Sequence, residues 1–427
     1  MAEIDGERSE GVLRERNRVR VLDALRRQGT ASRSELAQLT GLSRTTVGSV
    51  VAELQSRGLV VEHADGGRQP GRGRPPTYLS LDRSAGVAVG IDFDHDRVRV
   101  ALADLSSNVI AEDWTEIDVD REAADAIDAA VEMVSALRIA TGVDGADVVG
   151  AGVGLPGPID LRTGTVRSAF ILPGWAGIPT REALAGRLGM LVQIDNDANL
   201  GALAEASFGA ARGRSDIVYV RLGSGVGAGL VIGGRLHRGA AGLAGEIGHV
   251  QVRPDGAVCR CGNRGCLETI AAEGAMGALL QPARGHDVSR REILELVAEG
   301  DLGATRVVND AGLAIGRVLA DLCNAANPEA IVVGGELGEA GGPLLSGIRE
   351  AIDRYALPGA AEVVEVVPGE LGERAEVLGA LALVTQDPDT LRLIGTESVI
   401  EFGHPGPGRS VGWGSAGRKE AVGAETS

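Results

Sequence analysis

The spacing of apolar positions changes along the chain, and each change marks a different kind of element. In the head they recur at helical intervals: Val19, Leu22 and Leu25 share one face of a first helix, which Gln28-Gly29 ends. Ser32-Arg-Ser-Glu35 fits a capping box that starts a second helix, running into the turn at Gly41. Ser43 caps a third, in which Val47, Val50, Val51 and Leu54 face inward at i, i+3, i+4 and i+7. Arg44, Thr45, Thr46, Gly48 and Ser49 are left on its outer face. The period then falls to two, and LVVEH and YLSL, either side of the loop ADGGRQPGRGRPP, predict a two-stranded wing. Beyond it, GVAVGIDFDHDRVRVALADLSSNVIAEDW is β-rich and leads into the helical run REAADAIDAAVEMVSALRIA. A similar β-rich unit recurs at DIVYVRLGSGVGAGLVIGGRLHRG, again followed by helices. The repetition predicts an α/β body duplicated about a cleft.

Four segments follow: a flexible N-terminus over 1–16, a winged helix-turn-helix with an arginine/proline hinge over 17–81, a body over 82–385, and a tail over 386–427, disordered towards its end. Helix, short turn, helix is a DNA-reading plan, with the last helix in the major groove. Arg44, Thr45, Thr46 and Ser49 would meet base edges, and Arg72 and Arg74 in GRGRPP suit a phosphate or minor-groove contact. A three-helix packing unit with a solvated face, joined to a polar hinge, is the plainer alternative.

Charge sharpens this picture. The chain carries −17, but residues 1–78 hold 13 arginines against 10 acidic residues, a net of +3, so the other 349 carry −20. A weakly basic head on an acidic body is compatible with operator DNA. Lys419 is the only lysine, which excludes a P-loop NTPase and a lysine Schiff base in the folded core. The charged start MAEIDGERSEGVLRERNRVR and the lack of any run near ~18 apolar residues point to the cytoplasm.

In a reducing cytoplasm the clustered thiols of CRCGNRGC, Cys259, Cys261 and Cys266, suit a metal better than a disulfide. His249, ten residues upstream of Cys259, completes a closed Cys3His shell for structural zinc. Gly262 and Gly265 let the loop fold tightly. Cys323, in the apolar run LADLCNAA, reads as a buried small hydrophobe.

The winged head with GRGRPP, together with GVGLPGPID, DNDANLGALAE, LGSGVGAGLVIGGRLHRGAAGLAGEIGHVQV, CRCGNRGCLE and IVVGGEL, resembles the ROK family (repressor, open reading frame, kinase) over roughly residues 17–385. The resemblance implies a two-lobed, actin-like (ribonuclease-H-like) body and a choice between sugar kinases and sugar-responsive repressors. ROK kinases cradle nucleotide phosphates on an Asp-x-Gly-Gly-Thr turn. Here Asp92-Phe-Asp-His-Asp96 lacks both glycines and the hydroxyl and adds two acids that oppose phosphate. The loop Gly223-Ser-Gly225-Val-Gly227 is kept, though a tight turn between strands explains it equally.

The resemblance places Asp197 where the kinases hold the base for the sugar hydroxyl, with Asn196 beside it, and Glu246, His249 and Glu268 where the sugar ring is bound. Ile171 stands where the family often has asparagine, so one hydroxyl partner is missing. The expectation is a cytoplasmic, non-enzymatic repressor of carbohydrate genes. It would bind a sugar or sugar-phosphate effector and operator DNA, carry structural zinc, and form a homodimer or homotetramer. The alternatives are an ATP-dependent sugar kinase that retains a DNA-binding head, and a zinc-stabilised scaffold without a ligand.

Overall fold

Residue chemistry shapes the head of the structure, a computed structural model that describes residues 2–63, 77–167, 171–387 and 390. Helix α1 (Ala2–Gln28) starts at Ala2, so the stretch 1–16 expected to be flexible is helical from its second residue. Its Glu, Arg and Leu are strong helix formers and no proline interrupts it. After the short strand β1 (Ala31–Ser32) comes α2 (Arg33–Thr40), started by both bonds of the Ser32/Glu35 capping box. Helix α3 (Arg44–Ser56) is capped by Ser43, whose hydroxyl accepts from the Thr46 N–H, and it buries Val47, Val50, Val51 and Leu54. Strands β2 (Val60–His63) and β3 (Tyr78–Leu81) form the expected wing, and β1 joins them in the order β1-β3-β2. Arg72, Arg74, the hinge around Pro75-Pro76 and the tail after Thr390 lie outside the described residues.

The first lobe contains β4 (Val87–Phe93), β5 (Arg97–Asp104), β6 (Val109–Glu116), α4 (Ala123–Thr141), β7 (Val148–Leu155), the hairpin β8 (Ile159–Asp160) and β9 (Thr165–Val166), α5 (Thr180–Leu188) and β10 (Val192–Asn196). Helix α6 (Asp197–Phe208) leads to the second lobe: β11 (Ile217–Leu222), β12 (Val226–Ile232), β13 (Arg235–Leu236), α7 (Glu268–Ala271), α8 (Glu273–Arg284), α9 (Arg290–Ala298), α10 (Leu302–Ala326), β14 (Ala330–Gly334), α11 (Gly342–Tyr355), α12 (Pro358–Val363) and β15 (Glu365–Pro368). Helix α13 (Ala375–Thr385) returns to the first lobe.

The sheet orders, β6-β5-β4-β7-β10 and β13-β12-β11-β14-β15, are the same path traced twice. In each, an antiparallel three-strand meander is extended by two parallel strands. The duplication seen in the hydrophobic pattern is therefore a duplication of topology. Helices α6 and α13 pack on one another between the sheets, α13 against β4 and β7 and α6 against β11 and β12. Their approach is backbone to backbone, since a Cβ on Gly379 would lie 2.0 Å from the Leu200 carbonyl oxygen. Cys323 is buried in the second-lobe core, as expected.

Candidate effector pocket and metal centre

Strand β10 ends at Asn196 and α6 begins at Asp197, which places both at the strand-to-helix turn facing the cleft. Glu246 caps and His249 ends a single turn that follows β13, and Glu268 opens α7. All five residues expected on the sugar line one cavity of ≈ 50 Å³, together with Ile171, His95, Arg221 and Arg260. Several already have partners. The Asn196 amide caps α6, its oxygen accepting from the N–H groups of Ala198 (2.9 Å) and Asn199 (3.3 Å), while its nitrogen donates to the Gly157 carbonyl (2.9 Å). Both oxygens of Glu268 accept from Arg260, Nε at 2.7 Å and Nη2 at 2.8 Å, in a bidentate pair. Glu246 keeps more freedom, with His249 Nε2 3.8 Å away. Burial, reinforced by Asp197 and Glu268, pushes its carboxyl up to about 7.

The donor atoms of His249, Cys259, Cys261 and Cys266 all lie within 4.8 Å of one another. Cys261 and Cys266 sulfurs are 3.8 Å apart, and Cys259 Sγ is 3.6 Å from His249 Nδ1. Metal–sulfur bonds of about 2.3 Å in a tetrahedron set sulfurs ~3.8 Å apart, so the cluster could hold a metal ion. The thiols are free of disulfides. With Nδ1 on the cluster side, the other ring nitrogen of His249 points to Glu246, so the two sites share this imidazole.

Deeper in the cleft, Arg221 of β11 is 6% exposed and sits among four carboxylates. Its Nη2 meets Asp94 at 3.0 Å and Glu336 at 3.2 Å, and its Nε meets Glu376 at 3.2 Å and Asp197 at 3.4 Å. Asp94 belongs to the β4–β5 turn of the first lobe, so the cluster joins the two lobes. Arg290 adds a weaker bridge, 3.7 Å from Glu336 and 4.0 Å from Asp96. One guanidinium cannot neutralise four acids. Burial opposes the charge on Asp94, but Arg221, the Glu336 hydrogen bond and His95 together outweigh it and hold that carboxyl below the usual range. Burial pushes Glu336 up to about 8 and Glu376 up to about 7. The glycines of the retained loop make room for the chain's own acids: a Cβ on Gly223 would lie 2.3 Å from Glu336, and one on Gly225 2.9 Å from Glu268.

Residues 88–387 match the profile of the ROK family. The chain belongs to that family. Residues 14–69 match the MarR family. The chain is 30% identical to the xylose repressor of Caldicellulosiruptor bescii over 88% of its own length and 97% of the relative's. It is 31% identical to the glucokinase of Thermotoga maritima over 70% of this chain and 97% of the kinase. A crystal structure of a ROK family transcriptional regulator, described as a homologue of the E. coli MLC protein, superposes with a TM-score of 0.76 at 25% identity, over 90% of this chain and 99% of that one.

Two residues of this ROK body escaped the sequence reading. Arg221 changes the account of the phosphate turn: Asp94 is not a bare repelling charge but one half of a buried ion pair. A lone arginine inside the apolar strand IVYVRL was the available signal. Arg260 lies between two cysteines and reads as loop filler, yet it takes up both oxygens of Glu268. In the head, Arg44, Thr45 and Ser49 are exposed, whereas Thr46 is half-buried and shares a 2.8 Å hydrogen bond with Ser43. Among the described residues no helix is long and apolar enough to cross a membrane.

Proposed function

We propose that this ROK protein is a sugar-responsive DNA-binding transcriptional regulator, a repressor of carbohydrate uptake or catabolism genes, and not an enzyme. The observation that carries the reading is the Asp94–Arg221 pair at 3.0 Å. It occupies the turn where family kinases cradle nucleotide phosphates, in a chain that also carries a winged helix with an open outer face. A phosphate group entering there would have to displace a buried ion pair, whose disruption costs several kcal/mol.

In this reading α3 enters the major groove with Arg44, Thr45 and Ser49 toward the bases, and Thr46 supports the first turn. Arg72 and Arg74 contact phosphates or the minor groove. The effector is a sugar or sugar-phosphate held by Glu246, His249 and Asp197, with Asn196 and Glu268 shaping the wall. Zinc at His249, Cys259, Cys261 and Cys266 is structural, because three thiolates and an imidazole leave no position for a reacting water. A homodimer or homotetramer in the cytoplasm reads paired half-sites, as a single winged helix covers only a few base pairs.

The test combines two measurements on the purified protein: fluorescence anisotropy on a duplex selected from a random pool, with and without D-xylose or D-glucose, and coupled ADP release with the same sugars and ATP. Selective DNA binding that a sugar alters, with no ADP release above background, is expected. Sugar-stimulated ADP release that disappears in Asp197→Asn would instead establish the kinase.

A further inference from the structure

The head does not rest on its linker alone. Leu105, in the β5–β6 turn of the body, belongs to the same buried cluster as Leu22, Leu25 and Leu36 of the head. The Arg26 side chain of α1 is 8% exposed and crosses the junction. Its Nε donates to the Leu105 carbonyl at 3.3 Å, its Nη2 donates to the Thr385 carbonyl, and Nη1 meets Asp23 of its own helix at 3.3 Å. Thr385 is the last residue of α13, so Arg26 satisfies a helix-terminal carbonyl with a positive charge at the negative end of the helix dipole.

The opposite end of α13 reaches the cleft. Glu376, in its first turn, accepts from Arg221 Nε at 3.2 Å, within the cluster that joins Asp94 of one lobe to Glu336 of the other. One helix of 11 residues, spanning ~15 Å, thus touches the cleft at its start and the DNA-binding head at its end. It has little freedom to bend or slip, because Gly379 lets it sit directly on the α6 backbone and α6 begins with Asn196 and Asp197 of the pocket.

The turn between them bears a conformational signature as well. Ser107 is held at φ 64, a left-handed conformation few non-glycine residues adopt, and its hydroxyl is 3.2 Å from that of Thr385. Asp104 locks the turn by accepting from the N–H groups of Ser106 and Asn108. Such outliers persist where surrounding structure dictates them, at switch regions among other sites.

We infer that α13 is the element that couples the cleft to the head, with Arg26 as the positioning residue through which it acts. A ligand that changes the lobe angle alters the Arg221 cluster, displaces α13 along with α6, and moves the carbonyl on which Arg26 depends. The head is thereby reoriented without any contact between ligand and DNA. The inference rests on the proposed regulatory function and names its route.

Arg26→Met keeps the aliphatic stem and removes the three donors, and Ser107→Gly removes the hydroxyl contact at a position whose φ glycine accepts readily. For each full-length variant the ratio of DNA affinities without and with D-xylose or D-glucose is measured by anisotropy, and sugar affinity by calorimetry. The wild-type ratio should fall in the ~5- to 150-fold range of typical couplings. Arg26→Met should bring it to about onefold and Ser107→Gly should reduce it at least twofold, both binding sugar as tightly as wild type. A wild-type ratio in Arg26→Met, or in Ser107→Gly should the first variant not fold, overturns the inference while leaving the regulatory function standing. A wild-type protein that binds no DNA, or whose DNA affinity no sugar changes, overturns both.

Discussion

At the scale of single residues, the cleft is organised by an excess of negative charge around one arginine. Glu336 holds its proton up to about 8 because it is buried beside Asp94 and Glu376, whereas in the unfolded chain it would release it near the ordinary glutamate value. The folded state therefore binds more protons between about pH 4.5 and 8, so its stability is greatest at the acid side of that window and declines as pH rises through it. Urea unfolding at pH 5.5 and 7.5 should show this decline, and Glu336→Gln should flatten it by on the order of 1 kcal/mol per pH unit at most. An unchanged slope in the variant would mean that Glu336 is ionised in the native protein. The thiols invite a second residue-scale test. Cys261→Ser should lower the zinc content of the purified protein and, by freeing His249, weaken sugar binding more than DNA binding. Metal analysis beside the two binding assays checks it, and full sugar affinity in zinc-free protein would reduce the cluster to a structural clip.

At the scale of elements, α3 divides into a buried face and an open one. Val47, Val50, Val51 and Leu54 hold α3 in the head core, and Arg44 and Thr45 stand exposed at its N-terminal turn, where groove contacts are made. Arg44→Ala should therefore leave folding intact and cost about 1–3 kcal/mol at the preferred duplex, with non-selected DNA bound nearly as before. Competition binding against both duplexes reads that difference. An equal loss on both would assign Arg44 to phosphate. The helical face of α3, its cap at Ser43 and the Ser32/Glu35 box were all legible in the sequence, because they depend on neighbours three or four residues away. The strand β1 was not: two residues pairing with β3 across the head carry no periodicity of their own.

At the scale of the molecule, the duplicated sheets form a cleft whose lobes are tied by Arg221, and the head shares a core with the first lobe. If sugar and DNA bias the same lobe arrangement, linkage makes their effects reciprocal. Titrating sugar onto the protein alone and onto its complex with the selected duplex should give affinities that differ by the same factor as the two DNA affinities. Affinities for sugar that are the same with and without the duplex would show that no coupling joins the two sites.

What the sequence determined by itself is what local spacing encodes: the capped helices of the head, the repeated β-rich unit, and the histidine and three cysteines of the candidate metal cluster. Their residue types recur at intervals set by helix, strand and turn geometry, so no distant contact is needed to recognise them. The tertiary structure alone decided how those groups are used. Resemblance to the ROK family places Asn196 and Glu268 at the pocket, but that one caps α6 and the other is held by Arg260 depends on chain geometry after folding. Arg221 and its acids lie far apart in sequence, and Arg26 meets Thr385 across 359 positions. Pairings of that separation are fixed by packing of whole elements, which a hydrophobic pattern along one chain does not specify.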